Sequence, residues 1–292
     1  MKKALILGSE GMLGQELVRS FGEGGFDVTG WDRGDIDVTD TESAREKVSA
    51  LAPDIIINAV AYNAVDACEE DEAEFRKAWR LNAEVPGELA RIASDLGVVF
   101  VHYSTDYVFD GEQQNGGYRE DASPNPLSRY GESKRGGEEA VISVGGRYFV
   151  IRLAKLFGKP AVSAGAKESF FAKMEGVARE KGRISVVDDE RGNFTYAPDL
   201  ADATRTLVLD GSAPGIYHLV NERVMTWYEA ITEYFRFAGV KADVSPVSGD
   251  TFPRPARRPR DSTLLNTKRP PLRDLASALR DFSDVRRRGV ES

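Results

Sequence analysis

The feature that most restricts this chain is a set of short, dominantly apolar segments separated by stretches of helical character. Lys3 to Gly8 (KALILG), Asp54 to Val60 (DIIINAV), Val98 to Ser104 and Tyr148 to Leu153 are rich in β-branched and aromatic residues and do not alternate cleanly between apolar and polar side chains. A strand of that kind is buried on both faces, which a sheet allows only where helices cover both of its sides. The helices lie between. Gly11 to Phe21 carries Leu13, Leu17, Val18 and Phe21 at helical spacing, and Thr41 to Leu51 opens on a threonine cap and stops before Pro53. Glu70 to Leu96 is helical with a fresh start at Pro86, Ser128 to Val141 is a further helix, and Phe26 to Trp31 adds a strand. Repetition of this order predicts a doubly wound parallel α/β sheet of the Rossmann type.

Beyond residue 157 the pattern loosens. Lys159 to Gly165 reads as a loop, Ser169 to Arg179 as a helix and Ser185 to Val187 as a strand. Pro198 to Leu209 is a helix opened by proline, Gly215 to Val220 a strand, and Thr226 to Ala238 a helix ended by Gly239. A proline- and arginine-rich loop, Pro246 to Pro259, precedes a last helix from Leu272 to Phe282, and Arg286 to Arg288 reads as a frayed, solvated tail. The expected organisation is a Rossmann domain of residues 1–157 with 195–221, and a smaller C-terminal lobe of 158–194 with 222–292 that binds substrate.

A net charge of −8 argues against nucleic acid as a partner, because phosphate neutralisation needs a basic face. Cys68 is the only cysteine, so no intrachain disulfide forms, as suits a reducing cytoplasm. No apolar run approaches the ~18 residues of a membrane span, and no signal-peptide layout precedes the first strand. A cytoplasmic protein with no membrane partner is expected.

Gly8-Ser-Glu-Gly11-Met-Leu-Gly14 directly follows the first strand and opens the first helix. In that context glycines let backbone amides approach a pyrophosphate, and the helix N-terminus adds partial positive charge. Gly8, Gly11, Met12, Leu13 and Gly14 are therefore candidates to hold a dinucleotide; the plain alternative is a glycine-rich turn with no ligand. Asp32 ends the second strand, where a carboxylate can bind ribose hydroxyls, and Arg33 beside it can pair with a 2′-phosphate, so both NADH and NADPH are admitted.

The run ending at Ser104-Thr105 is followed by Tyr130 and Lys134, four apart at the start of a helix and so on one face. A hydroxyl, a phenol and an ammonium are what a carbonyl reduction needs: hydride addition makes an alkoxide, and a tyrosine can quench it. Alone, such a pair most often reads as a solvated helix face. The run Arg254-Pro-Ala-Arg-Arg-Pro-Arg260 has its own logic, since guanidinium groups grip diphosphate oxygens in a bidentate fork. Arg257 and Arg258 are the candidates, against a plain solubilising loop.

The GxxGxxG spacing, the strand-end Ser-Thr and the YxxxK together make the chain resemble the extended short-chain dehydrogenase/reductase family over nearly its whole length. Asn58-Ala-Val-Ala-Tyr62 with Val65-Asp66, Ser104-Thr-Asp-Tyr-Val-Phe-Asp-Gly111, and Ala256-Arg-Arg-Pro-Arg-Asp-Ser262 with Leu265, Thr267 and Lys268, are similar to its dTDP-4-dehydrorhamnose reductase branch. That resemblance implies that Tyr130 donates a proton to the C4 oxygen, Lys134 binds the nicotinamide ribose and lowers the tyrosine pKa, and Thr105 hydrogen-bonds the substrate carbonyl. It implies that Asn82 supports the lysine, although a plain helix cap serves as well. It further implies that Asp37 and Val38 contact adenine, that Ala59, Ala61 and Tyr62 line the path of ribose and nicotinamide, and that Val65, Asp106 and Tyr107 face a nucleotide-sugar substrate. The implied activity is NADPH- or NADH-dependent reduction to dTDP-L-rhamnose for surface polysaccharide, and a homodimer is admitted. Glu16 matches one position of a cation site found in some members; its companions cannot be placed, and no required metal is predicted. His102 and His218 read as core residues.

Three stretches depart from the branch: Lys155 stands where a base-stacking tryptophan is usual, Asn63 where threonine is usual, and Asp188 to Thr195 replaces a stretch with Gln and Ala-Pro. All lie on the substrate side. They leave open a reductase or epimerase of another nucleotide-linked 4-keto-6-deoxy sugar, and, from a different class, a non-catalytic subunit resembling the regulatory subunit of methionine adenosyltransferase.

Overall fold

The structure is a computed structural model that describes residues 1–113, 116–162 and 168–290. Strands β1 (Lys3–Leu7), β2 (Asp27–Trp31), β3 (Ile55–Asn58), β4 (Val99–Thr105) and β5 (Tyr148–Leu153) join Gly215–His218 in one six-stranded sheet. All neighbours are parallel, and the order is Gly215–His218, β5, β4, β3, β1, β2. The chain fills the sheet outward from β1 in both directions, so β1 and β3 flank the point where the winding reverses. Crevices for ligands open at the carboxyl ends of the strands there.

The unbroken apolar character of the strands follows from burial on both faces. Ala4 and Ile6 of β1 pack with Leu13, Leu17 and Phe21 of helix Met12–Glu23 and with Leu200 and Leu207 of helix Ala197–Leu209. Leu5 and Leu7 turn the other way, onto Val48, Val85, Leu89 and Val141 from helices Thr41–Leu51, Val85–Leu96 and Arg129–Val144. A second core is aromatic. Phe157, Phe171, Phe194, Tyr196, Tyr234 and Phe282 pack together, covered by the parallel pair Arg183–Val187 and Asp243–Val247.

Several local expectations change. Thr41 does not cap its helix: Asp40 does, accepting from the Ser43 N–H at 3.1 Å, and the Thr41 hydroxyl donates to Glu88 instead. The Glu70 to Leu96 segment is several pieces, Ala67–Glu70, Glu72–Trp79 and Val85–Leu96, with a single π-helical turn at Arg80–Glu84. Such wide turns cluster at functional sites, and this one carries Asn82. Pro246 lies within a strand, so the irregular loop begins later than its composition indicates. The last helix runs Leu275–Val290, after a short strand at Leu272–Asp274. Arg286 is no frayed tail, because its Nε donates to the Glu175 carboxylate at 3.1 Å, which also accepts from Tyr234 at 2.5 Å. Residues 163–165 of the expected 159–165 loop lie outside the described residues. Among the described residues no helix is long and apolar enough to cross a membrane.

Arg152 on β5 is 1% exposed and makes two bonds to Glu138, at 2.8 and 2.7 Å, beneath the Phe109 ring. His218 stands 3.5 Å from it, buried and pushed down to about 4 by desolvation, and so neutral; His102 is fully buried too. Removing one partner of a buried pair strands the other charge. Arg152→Met is expected to lower unfolding stability by about 3–5 kcal/mol, and adding Glu138→Leu to restore much of that loss, as read by urea denaturation.

Candidate active site

The glycine turn is shaped for close backbone approach. Gly8 sits at φ +79° with its N–H donating to the Trp31 carbonyl at 2.8 Å, and an added Cβ would meet the Ala59–Val60 backbone at 3.1 Å. At Gly14 an added Cβ would come within 2.0 Å of the Gly8 carbonyl oxygen, so only glycine lets the helix start this near the turn. Gly11 is the N-cap and offers no side-chain bond, leaving the helix-opening amides of Met12, Leu13 and Gly14 uncapped by a side chain. Glycine-lined backbone at a helix N-terminus with no side-chain cap, at the sheet's reversal point, fits a pyrophosphate. Asp32 stands beside it, accepting from the Glu10 amide at 3.1 Å, while Arg33 is exposed. Ala59 and Ala61 follow β3 at the crevice, and the Tyr62 hydroxyl donates to Glu74.

At the end of β4 the expected trio comes together. Ser128 caps helix Arg129–Val144 by accepting from Gly131 at 3.2 Å, which fixes Tyr130 in the first turn. An added Cβ at Gly131 would lie 2.3 Å from the Tyr107 carbonyl oxygen, so glycine sets how near this helix comes to β4. Tyr130 is 8% exposed; burial raises its pKa above that of an ordinary phenol, the Asp106 charge adds to the rise, and a hydrogen bond with Thr105 opposes it. Its hydroxyl also donates to Asn63 Oδ1 at 3.4 Å. Lys134, one turn on, is 3% exposed and donates to the Tyr103 carbonyl at 2.6 Å, with burial pushing it down to about 8 and Glu138 holding it up. At neutral pH the phenol keeps its proton and the lysine its charge, the starting state for a proton donor with a cationic neighbour.

Beyond Thr105 lies a polar floor. The Thr105 hydroxyl is 3.0 Å from Asp106 Oδ1, and Ser262 donates to Asp106 Oδ2 at 2.5 Å. Burial pushes the Asp106 carboxyl up, against Lys155, Ser262 and Thr105, which favour its ionised form. The Tyr107 ring meets Tyr130 edge-on, 5.9 Å between centroids, and Val65 packs in the same cluster with Tyr62 and Tyr130. A cleft of about 470 Å³ opens alongside, bounded by the 249–260 segment, Asp189, Glu190 and the 110–112 turn. Arg257 is exposed in it with no hydrogen bond or ion pair among the described residues, whereas Arg258 grips Asp66 in a fork at 2.5 and 2.8 Å and holds that carboxyl below its usual range. The two arginines left undivided by sequence thus differ.

Other candidates land less directly. Asp37 Oδ1 accepts from the Thr39 amide and hydroxyl at 2.9 and 2.7 Å while its side chain stays exposed, and Val38 is buried in the core with Ile36 and Val48. Asn82 does not reach Lys134. Instead it accepts from the Tyr62 amide at 2.8 Å and donates to the Tyr62 carbonyl at 2.9 Å and to Ser133 at 3.0 Å, bracing the crevice against the Tyr130 helix. Ser262, in a motif singled out on other grounds, and Asn63, Lys155 and Glu190, visible only within departures from the branch, lie around the site. Glu16 is 3% exposed and bonded to Arg19 at 2.8 Å, and among the described residues no group of three or more His, Cys, Asp or Glu side chains could hold a metal ion.

A profile of the RmlD substrate binding domain family matches residues 1–280. The chain belongs to this family. It is 39% identical over 289 residues to a Streptomyces antibioticus protein named probable dTDP-4,6-dihydroxy-2-methyloxan-3-one 4-ketoreductase, covering 96% of this chain and 95% of that one. It is 39% identical over 268 residues to a dTDP-4-dehydrorhamnose reductase of Streptomyces griseus, covering 89% and 84%. A dTDP-4-dehydrorhamnose reductase from Bacillus anthracis, solved in complex with NADP, superimposes with a TM-score of 0.90 at 30% identity, covering all of both chains. Gly14→Ala is expected to weaken NADPH binding more than about tenfold by closing the family's glycine turn. Gly22→Ala in the same helix, where nothing lies within 4 Å of the new methyl, should leave binding unchanged; equal affinities for both, by fluorescence titration, would contradict this role.

Proposed function

We propose that the protein reduces the C4 keto group of dTDP-4-dehydro-L-rhamnose to give dTDP-L-rhamnose, with NADPH or NADH as reductant, in the cytoplasm and toward surface polysaccharide. The single observation that carries this reading is the buried, protonated Tyr130 phenol, set beside Thr105 and one helical turn from the charged Lys134. The names of family members, an NADP complex among them, support the same chemistry.

The residues of the glycine turn, with Asp32 and Lys134, would hold the dinucleotide, which when bound supplies a hydride to C4. Thr105 orients the carbonyl oxygen by a hydrogen bond. Tyr130 gives its proton to that oxygen as negative charge builds there, and Lys134 stabilises the phenolate left behind. Arg257 offers its free guanidinium to the diphosphate, and Phe252, 41% exposed in the same cleft, offers a face to the nucleobase. In this reading residues 1–157 with 195–221 hold the cofactor, and 158–194 with 222–292 hold the sugar nucleotide. A second reading, a reductase of another nucleotide-linked 4-keto-6-deoxy sugar, is favoured by the name of the Streptomyces antibioticus relative, a probable 4-ketoreductase of a different dTDP-linked sugar. A non-catalytic role is disfavoured by the intact trio.

Tyr130→Phe should bind NADPH as the wild type does and lose kcat by on the order of a thousandfold, measured as loss of absorbance with dTDP-4-dehydrorhamnose. Unchanged kcat would remove Tyr130 from the chemistry. The Lys134 pKa near 8 sets a pH limit: the ammonium is present below that value and lost above it. The log of kcat/KM is therefore expected to fall as pH rises past about 8, and a flat profile beyond pH 9.5 would contradict the role given to the charge.

A further inference from the structure

Lys155 is the one lysine of the site that the reduction chemistry does not use. It follows β5 with φ at +43°, in the left-handed region that disfavours side chains other than glycine, and is one of three non-glycine residues so placed among those described. Its ammonium nearly touches the Gly192 backbone: a Cβ added at Gly192 would lie 2.5 Å from Nζ and 2.9 Å from the Ser262 hydroxyl. The Phe194 and Trp227 rings flank the ammonium at 5.5 and 5.6 Å. Glycine at 192, an unfavourable backbone at 155 and two aromatic walls together hold this amine in one place.

What the amine does there follows from its partners. Asp106, Glu190 and Asp261 stabilise its charge from a distance, yet among the described residues it makes no hydrogen bond and no close ion pair, so its N–H groups remain unused. Burial disfavours a bare ammonium, which makes an idle one in a crevice a poor packing choice. Nζ and the Ser262 hydroxyl both lie close to where a Gly192 Cβ would stand; Ser262 donates to Asp106, and Asp106 bonds the Thr105 hydroxyl beside Tyr130. The line of polar groups from Lys155 by way of Ser262 and Asp106 ends at Thr105 and Tyr130, the pair assigned above to the keto carbon.

We propose that Lys155 is a specificity-determining residue, whose ammonium donates a hydrogen bond to the C2 hydroxyl of the keto sugar and so selects the 2-hydroxy ring over its 2-deoxy counterpart. The inference rests on the reductase reading above and adds the part of the substrate that is read. The name of the Streptomyces antibioticus relative describes a ring with no oxygen on that carbon, so the two sugars are close chemical neighbours. A charge-assisted hydrogen bond removed from a half-buried donor corresponds to about tenfold to a hundredfold in affinity.

The test compares kcat/KM for dTDP-4-dehydro-L-rhamnose and its 2-deoxy analogue in the wild type, Lys155→Met and Lys155→Arg. Calorimetric binding of dTDP-L-rhamnose and 2-deoxy-dTDP-L-rhamnose to each protein, without cofactor, gives a second readout independent of turnover. The wild type should prefer the 2-hydroxy compound by about tenfold or more in both readouts, Lys155→Met should lose that preference, and Lys155→Arg should keep part of it. Turnover by the wild type with the same preference in Lys155→Met overturns the inference and leaves the reductase reading standing. Turnover of neither sugar overturns the reductase reading and this inference with it.

Discussion

Burial of the Tyr130 phenol is the constraint on which the rest of the site depends. Taking the phenol and the Lys134 ammonium out of water favours the uncharged form of each, so the tyrosine rises and the lysine falls. The consequence is a defined starting state at neutral pH, with the proton on oxygen and the positive charge one turn away. Backbone contacts enforce that burial. Gly131 allows the helix to meet the Tyr107 carbonyl, and Ser128 fixes the first turn on which Tyr130 sits. Asn82 then ties this helix, through Ser133, to the crevice after β3 where the cofactor is proposed to pass.

The same constraint explains which parts of the molecule the sequence makes legible. Strands buried on both faces must be apolar throughout, so β1, β3, β4 and β5 announce themselves, and their parallel order follows from the helices between them. The glycine turn is equally readable, because the close approaches at Gly8 and Gly14 exclude any side chain. Thr105 stands 25 positions before Tyr130 and 29 before Lys134, yet the three residue types identify a reduction once a hydride source is at hand.

What escapes a linear reading is set by contacts between distant segments. Asn82 looks like a cap or a lysine support, but the π-helical turn at Arg80–Glu84 points it at the Tyr62 backbone, and no pattern of apolar residues encodes that turn. Arg257 and Arg258 are indistinguishable as neighbours in a basic run. They separate only because Asp66, nearly two hundred residues earlier, captures Arg258 and leaves Arg257 open to the cleft. Asp37 and Val38, adjacent in sequence, also separate for local reasons: a short polar side chain bonds within its own turn at the surface, and a valine turns to the core. Lys155 is visible in the sequence only as a departure, and its meaning comes from Gly192 and Ser262, which a sequence cannot set beside it.

The central claim is that hydride arrives at the sugar's C4 while a protein group protonates the oxygen on that carbon. Incubation with NADPH deuterated at the transferred position and dTDP-4-dehydro-L-rhamnose, followed by proton NMR of the product, tests it most directly. The account predicts dTDP-L-rhamnose with deuterium at C4 in a single configuration and protium at every other ring carbon. Deuterium at another carbon, a mixture of C4 configurations, or no labelled sugar would contradict it.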